Sequence, residues 1–275
     1  MVHASIRLPS HGKNKQQFGG NMKKQFLFVV LFVAAVFLHA ENDAVYKARI
    51  MHRIAELEMD GVLSLWITDC DTGKPIEGAF VAIEGVGSTK SDKDGIASFP
   101  VTKDGTYNFI IQHENYVMTK DSFDVFGGAI FFCKYSIPKK VSYQCVKVIL
   151  DWGKTPADLD AHLMKSNAYH ISFRDTVRSD DGTVWLDRDD RDSFGPETVT
   201  ITQLDMAAVY RYFVFNWTGR NERKGTGLSQ SGARIRVYVD NALKGSWKVP
   251  ALQRGTTWNV FTIKGGNIIL VNSVE

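Results

Sequence analysis

Cysteine, proline and net charge are all scarce in this chain of 275 residues: three cysteines, seven prolines, and 33 basic against 30 acidic side chains for a formal charge of +3. A near balance of charge with no long Lys/Arg run argues against nucleic acid as a partner. Cys70, Cys133 and Cys145 lack the spacing of a zinc site and have no evident catalytic histidine. They fit either one disulfide plus a free thiol, with Cys133 and Cys145 facing each other across a hairpin around 136–140, or three buried reduced thiols. Catalytic signatures are missing too. There is no H-E-x-x-H helix, no phosphate loop and no nucleophile elbow. The segment Gly227-Leu-Ser229-Gln-Ser231-Gly232 has the spacing G-x-S-x-S-G and reads as a turn before a strand.

Long apolar runs are also few. One extends from Phe26 to Leu38, after Met22-Lys23-Lys24-Gln25 and before Leu38-His39-Ala40. Charged, apolar and cleavage-site regions in that order predict a secretory signal peptide over 22–40, and the run is short of the roughly 20 residues a bilayer span needs. The polar, basic residues 1–21 do not fit a signal, so translation is expected to start at Met22. The expected product is exported to the periplasm or cell surface, with no membrane span in the mature chain.

What is abundant is β-signature. Residues 44–59 carry a weak helical period through Val45, Ile50, Ile54 and Leu57, predicting a short helix within 41–60. After Gly61 short runs of Val, Ile, Phe, Trp and Tyr alternate with Gly and Asp, the pattern of an all-β fold. Two β-sandwich domains in tandem are expected, at 61–126 and 146–275, joined by a linker at 127–145 that opens on Gly127-Gly128.

The second unit concentrates acids: Asp158-Leu-Asp160-Ala-His162, Leu186-Asp187-Arg-Asp189-Asp190, and Gly195-Pro196-Glu197. Within strands, every-other-residue spacing places Asp158 with Asp160, and Asp187 with Asp189, on one face. Like charges that close repel, and a hard cation resolves the repulsion. Asp158, Asp160, Asp187, Asp189 and Glu197 are therefore the expected oxygen ligands of a structural Ca²⁺, which takes six to eight oxygens. His162 on the same face admits Zn²⁺ or Mn²⁺ instead. A third reading has no metal, with the acids accepting backbone N–H bonds and Arg174, Arg188 or Arg191 neutralising them.

Two family resemblances follow. Thr68-Asp-Cys-Asp71-Thr-Gly73-Lys-Pro75-Ile-Glu-Gly78-Ala79-Phe-Val81, with Ser91-Asp92-Lys-Asp94-Gly95 and Gly105-Thr-Tyr107, resembles the carboxypeptidase regulatory-like family. That resemblance implies a small, non-catalytic β-sandwich spacer or binding module. Leu150-Asp-Trp152-Gly, the three acidic clusters and Tyr210-Arg-Tyr212-Phe-Val-Phe-Asn216 resemble the YfaP-type domain of bacterial exported proteins. It implies a β-sandwich accessory module with no established reaction. The functional expectation is a non-enzymatic cell-envelope binding protein whose partner is a protein or a glycan. The alternative is a metal-dependent hydrolase built on His162 and the same acids. An ion with saturated ligands favours the first, an open ligand position beside a cleft the second. Among the aromatics, Trp217 beside a Thr-Gly-Arg turn is the best candidate for an exposed contact.

Overall fold

The computed structural model describes residues 43–100, 103–130, 133–175, 179 and 181–275. The expected signal peptide and start at Met22 lie outside the described residues. Among the described residues the chain is all-β apart from one helix, α1 (43–59). No helix among the described residues is long and apolar enough to cross a membrane.

Two sheets form the first region. A three-stranded sheet has the order β4-β1-β8, from β1 (Val62–Asp69), β4 (Ile96–Pro100) and β8 (Lys134–Ile137). A five-stranded sheet has the order β3-β2-β5-β6-β7, from β2 (Phe80–Ile83), β3 (Gly87–Lys90), β5 (Gly105–His113), β6 (Tyr116–Phe126) and β7 (Ala129–Ile130). The segment expected as a linker thus holds two strands. Gly127 and Gly128, both at positive φ, turn β6 into β7, and β8 returns to pair parallel with β1. Parallel partners need a long crossover, so no local turn signal marks this pairing. Around β8, Cys133 and Cys145 are buried free thiols, as is Cys70, and no hairpin joins them.

Two five-stranded antiparallel sheets form the second region. One has the order β12-β13-β9-β15-β16, from β9 (Val146–Asp151), β12 (Val184–Arg188), β13 (Glu197–Ile201), β15 (Arg234–Val239) and β16 (Ala242–Lys248). The other has the order β11-β10-β14-β17-β18, from β10 (Asp160–Lys165), β11 (Tyr169–Ile171), β14 (Val209–Phe215), β17 (Thr257–Lys264) and β18 (Asn267–Val274). Their facing side chains alternate as the period-two pattern requires. Val148, Leu150, Leu163, Val199, Tyr212, Val214, Trp258 and Phe261 share one dry core.

The two regions are not beads on a string. β1 buries both of its faces: Leu63, Leu65 and Ile67 on one, Ser64, Trp66 and Thr68 on the other. The second face and β8 meet the second region through polar groups. The Thr68 and Ser136 hydroxyls are 2.7 Å apart, and Ser136 donates from its N–H (3.1 Å) and hydroxyl (2.6 Å) to Asp151. Arg236, fully buried and stacked on Tyr135, is the ion partner of Asp151. Arg234 pairs with Asp121 at 3.2 Å and Lys147 with Asp71 at 2.5 Å. Helix α1 adds Arg49 and Arg53, which pair with Asp94 at 3.1 and 3.0 Å.

Candidate cation site

The acids converge where three chain segments end together. β10 begins at Asp160 with Asp158 just before it, β13 begins at Glu197, and the loop 189–196 between β12 and β13 carries Asp189. Asp160, Asp189 and Glu197 each offer an oxygen, and the three oxygens lie within 4.8 Å of one another. Asp158 flanks them, its own N–H donating to the Thr218 hydroxyl at 2.9 Å.

The loop that brings Asp189 in is held from outside. Lys47 of α1 donates to Asp190 at 2.8 Å, to Asp192 at 2.5 Å and to the Ser193 carbonyl at 3.0 Å. Arg188 also pairs with Asp190, at 2.9 Å, and Lys134 of β8 donates to the Gly195 carbonyl. Burial alone would raise Asp190; the Lys47 charge overcomes it and holds the carboxyl below its usual range. Asp190 is therefore an anchor of the loop rather than a member of the cluster. Gly195 is required at its position. Its φ is +67°, and a Cβ there would stand 2.7 Å from the Trp152 ring.

Inside the cluster the electrostatics run the other way. Glu197 is fully buried and accepts N–H bonds from Ala161 (2.6 Å) and Asp190 (3.2 Å). Burial still lifts it well above the carboxylate range, with the Asp160 and Asp189 charges adding to the rise. Asp160, 2 % exposed, is pushed up to about 7 by burial and then by Asp158 and Asp189. Asp158 is pushed up to about 6, again by burial first and by Asp189 second. One oxygen of each of these two aspartates, Oδ1 of Asp158 and Oδ2 of Asp160, is buried with no hydrogen-bond donor. Buried carboxylate oxygens are almost always satisfied, so two donorless oxygens beside further carboxylates mark the cluster as a candidate cation site.

Asp187 is not brought there, contrary to its expected place in the shell. A bulge interrupts the β12–β13 register between Leu186 and Arg188, breaking the alternation that was to align Asp187 with Asp189. Asp187 lies on the opposite face of the sheet, accepting from the Thr200 hydroxyl and from the Trp185 indole at 2.8 Å, with the Lys147 ammonium at 3.7 Å. His162 stands outside the cluster as well. Its ring lies parallel to Phe213 at 4.6 Å, and its Nδ1 is 2.8 Å from Nε2 of His170. Burial first, then His170 and Arg174, pull it down to about 3, so the imidazole is neutral.

Sequence reasoning missed two participants. Lys47 and Lys134 reach the loop from positions 143 and 61 residues away. The available signal was a lysine among the buried positions of a helix and of a strand, which is rare without a partner.

Comparison of the chain with family models, with curated proteins and with solved structures finds no match.

Proposed function

We propose that this chain is an exported, non-enzymatic binding protein of the cell envelope whose second region holds a structural Ca²⁺. Asp158, Asp160, Asp189 and Glu197 supply its protein oxygens. The observation that carries the reading is the pair of donorless, buried oxygens on Asp158 and Asp160 beside two further carboxylates. Ca²⁺ suits the place because it accepts an irregular shell of hard oxygens, with water or carbonyls filling the remainder. The ion would tie the start of β10 to the start of β13 and to the 189–196 loop, making one rigid edge of the sandwich. The resemblances to the carboxypeptidase regulatory-like family and to the YfaP-type domain point the same way, toward an exported accessory module.

A structural rather than catalytic role is supported by the acids' commitments. Both Glu197 oxygens are held by backbone N–H groups, and Asp160 and Glu197 are almost wholly covered. His162, on which the hydrolase reading centres, is paired through Nδ1 with His170 and stacked on Phe213, and its Nε2 is buried away from solvent without a hydrogen-bond partner.

Thermal unfolding in Ca²⁺ and in EDTA tests the reading. A ligand present at a hundredfold excess over its Kd and bound only by the folded state stabilises it by about 2.7 kcal/mol, which for a body of this size raises Tm by roughly 5–10 °C. Identical melts for the wild type in Ca²⁺ and EDTA would refute the site.

A further inference from the structure

The outer face of the β11-β10-β14-β17-β18 sheet carries a feature that the cation site does not use. Along β14 and just beyond it, Arg211, Phe213, Phe215 and Trp217 fall on this face by alternation, and register sets His162 beside Phe213. Three rings carry guanidiniums: Phe213 under Arg211 at 5.3 Å, Trp217 under Arg220 at 4.9 Å, and Phe173 under Arg174 at 5.3 Å. The rings also cover one another. Phe173 and Phe215 lie 5.1 and 6.3 Å from Trp217.

Arg174 and Arg220 are exposed, and among the described residues neither has a carboxylate within ion-pair distance. Their charges do reach the cation cluster, lowering Asp160 and Asp158 respectively against the stronger effect of burial. A guanidinium held over a ring has lost some of its freedom already, and its N–H fork matches a carboxylate. Phe213 is stacked by His162 with Arg211 over its ring, and Trp217 carries Arg220, so these rings present guanidinium as well as aromatic surface. Arginine and aromatic side chains together are the composition of protein–protein anchors.

We propose that this face docks an acidic segment of a partner polypeptide, its carboxylates pairing with Arg174 and Arg220 above Phe173 and Trp217. The proposal rests on the reading of the chain as a binding module and names the chemistry of its partner; it does not require the cation.

The test uses the full chain and fluorescently labelled poly-L-glutamate, read by anisotropy in Ca²⁺ and in EDTA, with oligogalacturonate run in parallel. The wild type is expected to bind poly-L-glutamate. The double variant R174Q/R220Q should bind at least tenfold more weakly while remaining folded, with a cooperative melt and the wild-type circular dichroism spectrum. A control that removes two exposed charges elsewhere, K120Q/K244Q, should bind like the wild type. Absence of binding, an equal loss in the control, or binding of oligogalacturonate in place of poly-L-glutamate would overturn the proposal. Retained poly-L-glutamate binding in EDTA, with no calcium effect on Tm, would uphold this docking face while defeating the cation reading.

Discussion

Two groups of acids at the second region have opposite chemistry. At the outer face of the β12-β13-β9-β15-β16 sheet every acid described above has a cation: Asp151 has Arg236, Asp121 of β6 has Arg234, and Asp71 of the first region shares Lys147 with Asp187. At the loop end, Asp158 and Asp160 are buried among other carboxylates, each with an oxygen that no donor reaches. The first set holds two regions together with its own counter-charges. The second is only weakly compensated: Arg191 lies 3.7 Å from Asp189, and Arg174 and Arg220 lower Asp160 and Asp158 without overcoming their burial. Acidic residues alone therefore do not mark a candidate cation site; what marks it is acids whose burial outweighs the counter-charges the chain brings to them.

The largest effect expected from this contrast is at the paired face. Arg236→Ala leaves Asp151 buried with only Ser136 as donor, and should destabilise by about 3–5 kcal/mol in urea unfolding. The double substitution D151L/R236M should cost much less, because it removes both charges. A single substitution as mild as the double would mean that the pair is not buried in solution.

At the cluster the sign reverses. In EDTA at pH 8, Asp160→Asn removes a repelled, desolvated charge and should raise stability by about 1–2 kcal/mol. The same variant should lose most of the calcium-induced Tm shift. An Asp160→Asn protein less stable than the wild type in EDTA would place Asp160 with the paired acids and erase the distinction.

The pH dependence separates the regions further. Asp160 and Asp158 sit at about 7 and about 6 in the metal-free fold, above the unfolded value of 3.8. The folded chain then binds more protons than the unfolded one between pH 4 and 7, so their contribution to metal-free stability grows as pH falls through that window. Calcium must displace those protons. The Tm difference between Ca²⁺ and EDTA should therefore shrink from pH 8 to pH 5. His162 acts in the opposite sense: pulled down to about 3, it loses stability for the fold as pH falls below 6.5. Taking the difference between the two melts cancels that contribution. A calcium shift unchanged down to pH 5 would show that the carboxyls are ionised without the ion.

The smallest effect belongs to Lys248, whose ion pair with Asp124 bridges the two regions at an exposed position. Lys248→Ala should change unfolding free energy by less than about 1 kcal/mol, since exposed pairs are screened. A larger loss would place the exposed rim among the contacts that hold the regions together.

How much of this was legible in the sequence differs by residue. Period-two runs such as Val146–Asp151 and Arg234–Val239 announced strands, because alternation reports one buried face directly. The sites of Asp158, Asp160, Asp189 and Glu197 were legible as clusters of acids at strand ends. Asp187 was not, because a single bulged residue reverses the face and leaves no mark in the alternation. Ser136-Ile-Pro-Lys-Lys140 read as turn-like, yet Ser136 and Ile137 belong to β8, which is buried along its length, since a strand covered on both sides need not alternate.

The sequence by itself determined an all-β chain and a dense set of acids in its second half. Local pattern suffices for these, because alternation and like-charge crowding are properties of neighbours along the chain. Only the tertiary structure decided which acids are partnered. Arg236 reaches Asp151 across 85 residues and Lys47 reaches Asp190 across 143, distances that no periodicity spans. Whether a buried carboxylate is an ion-pair partner or a cation ligand depends on what the fold brings within 4 Å of it, and that is set by packing between regions.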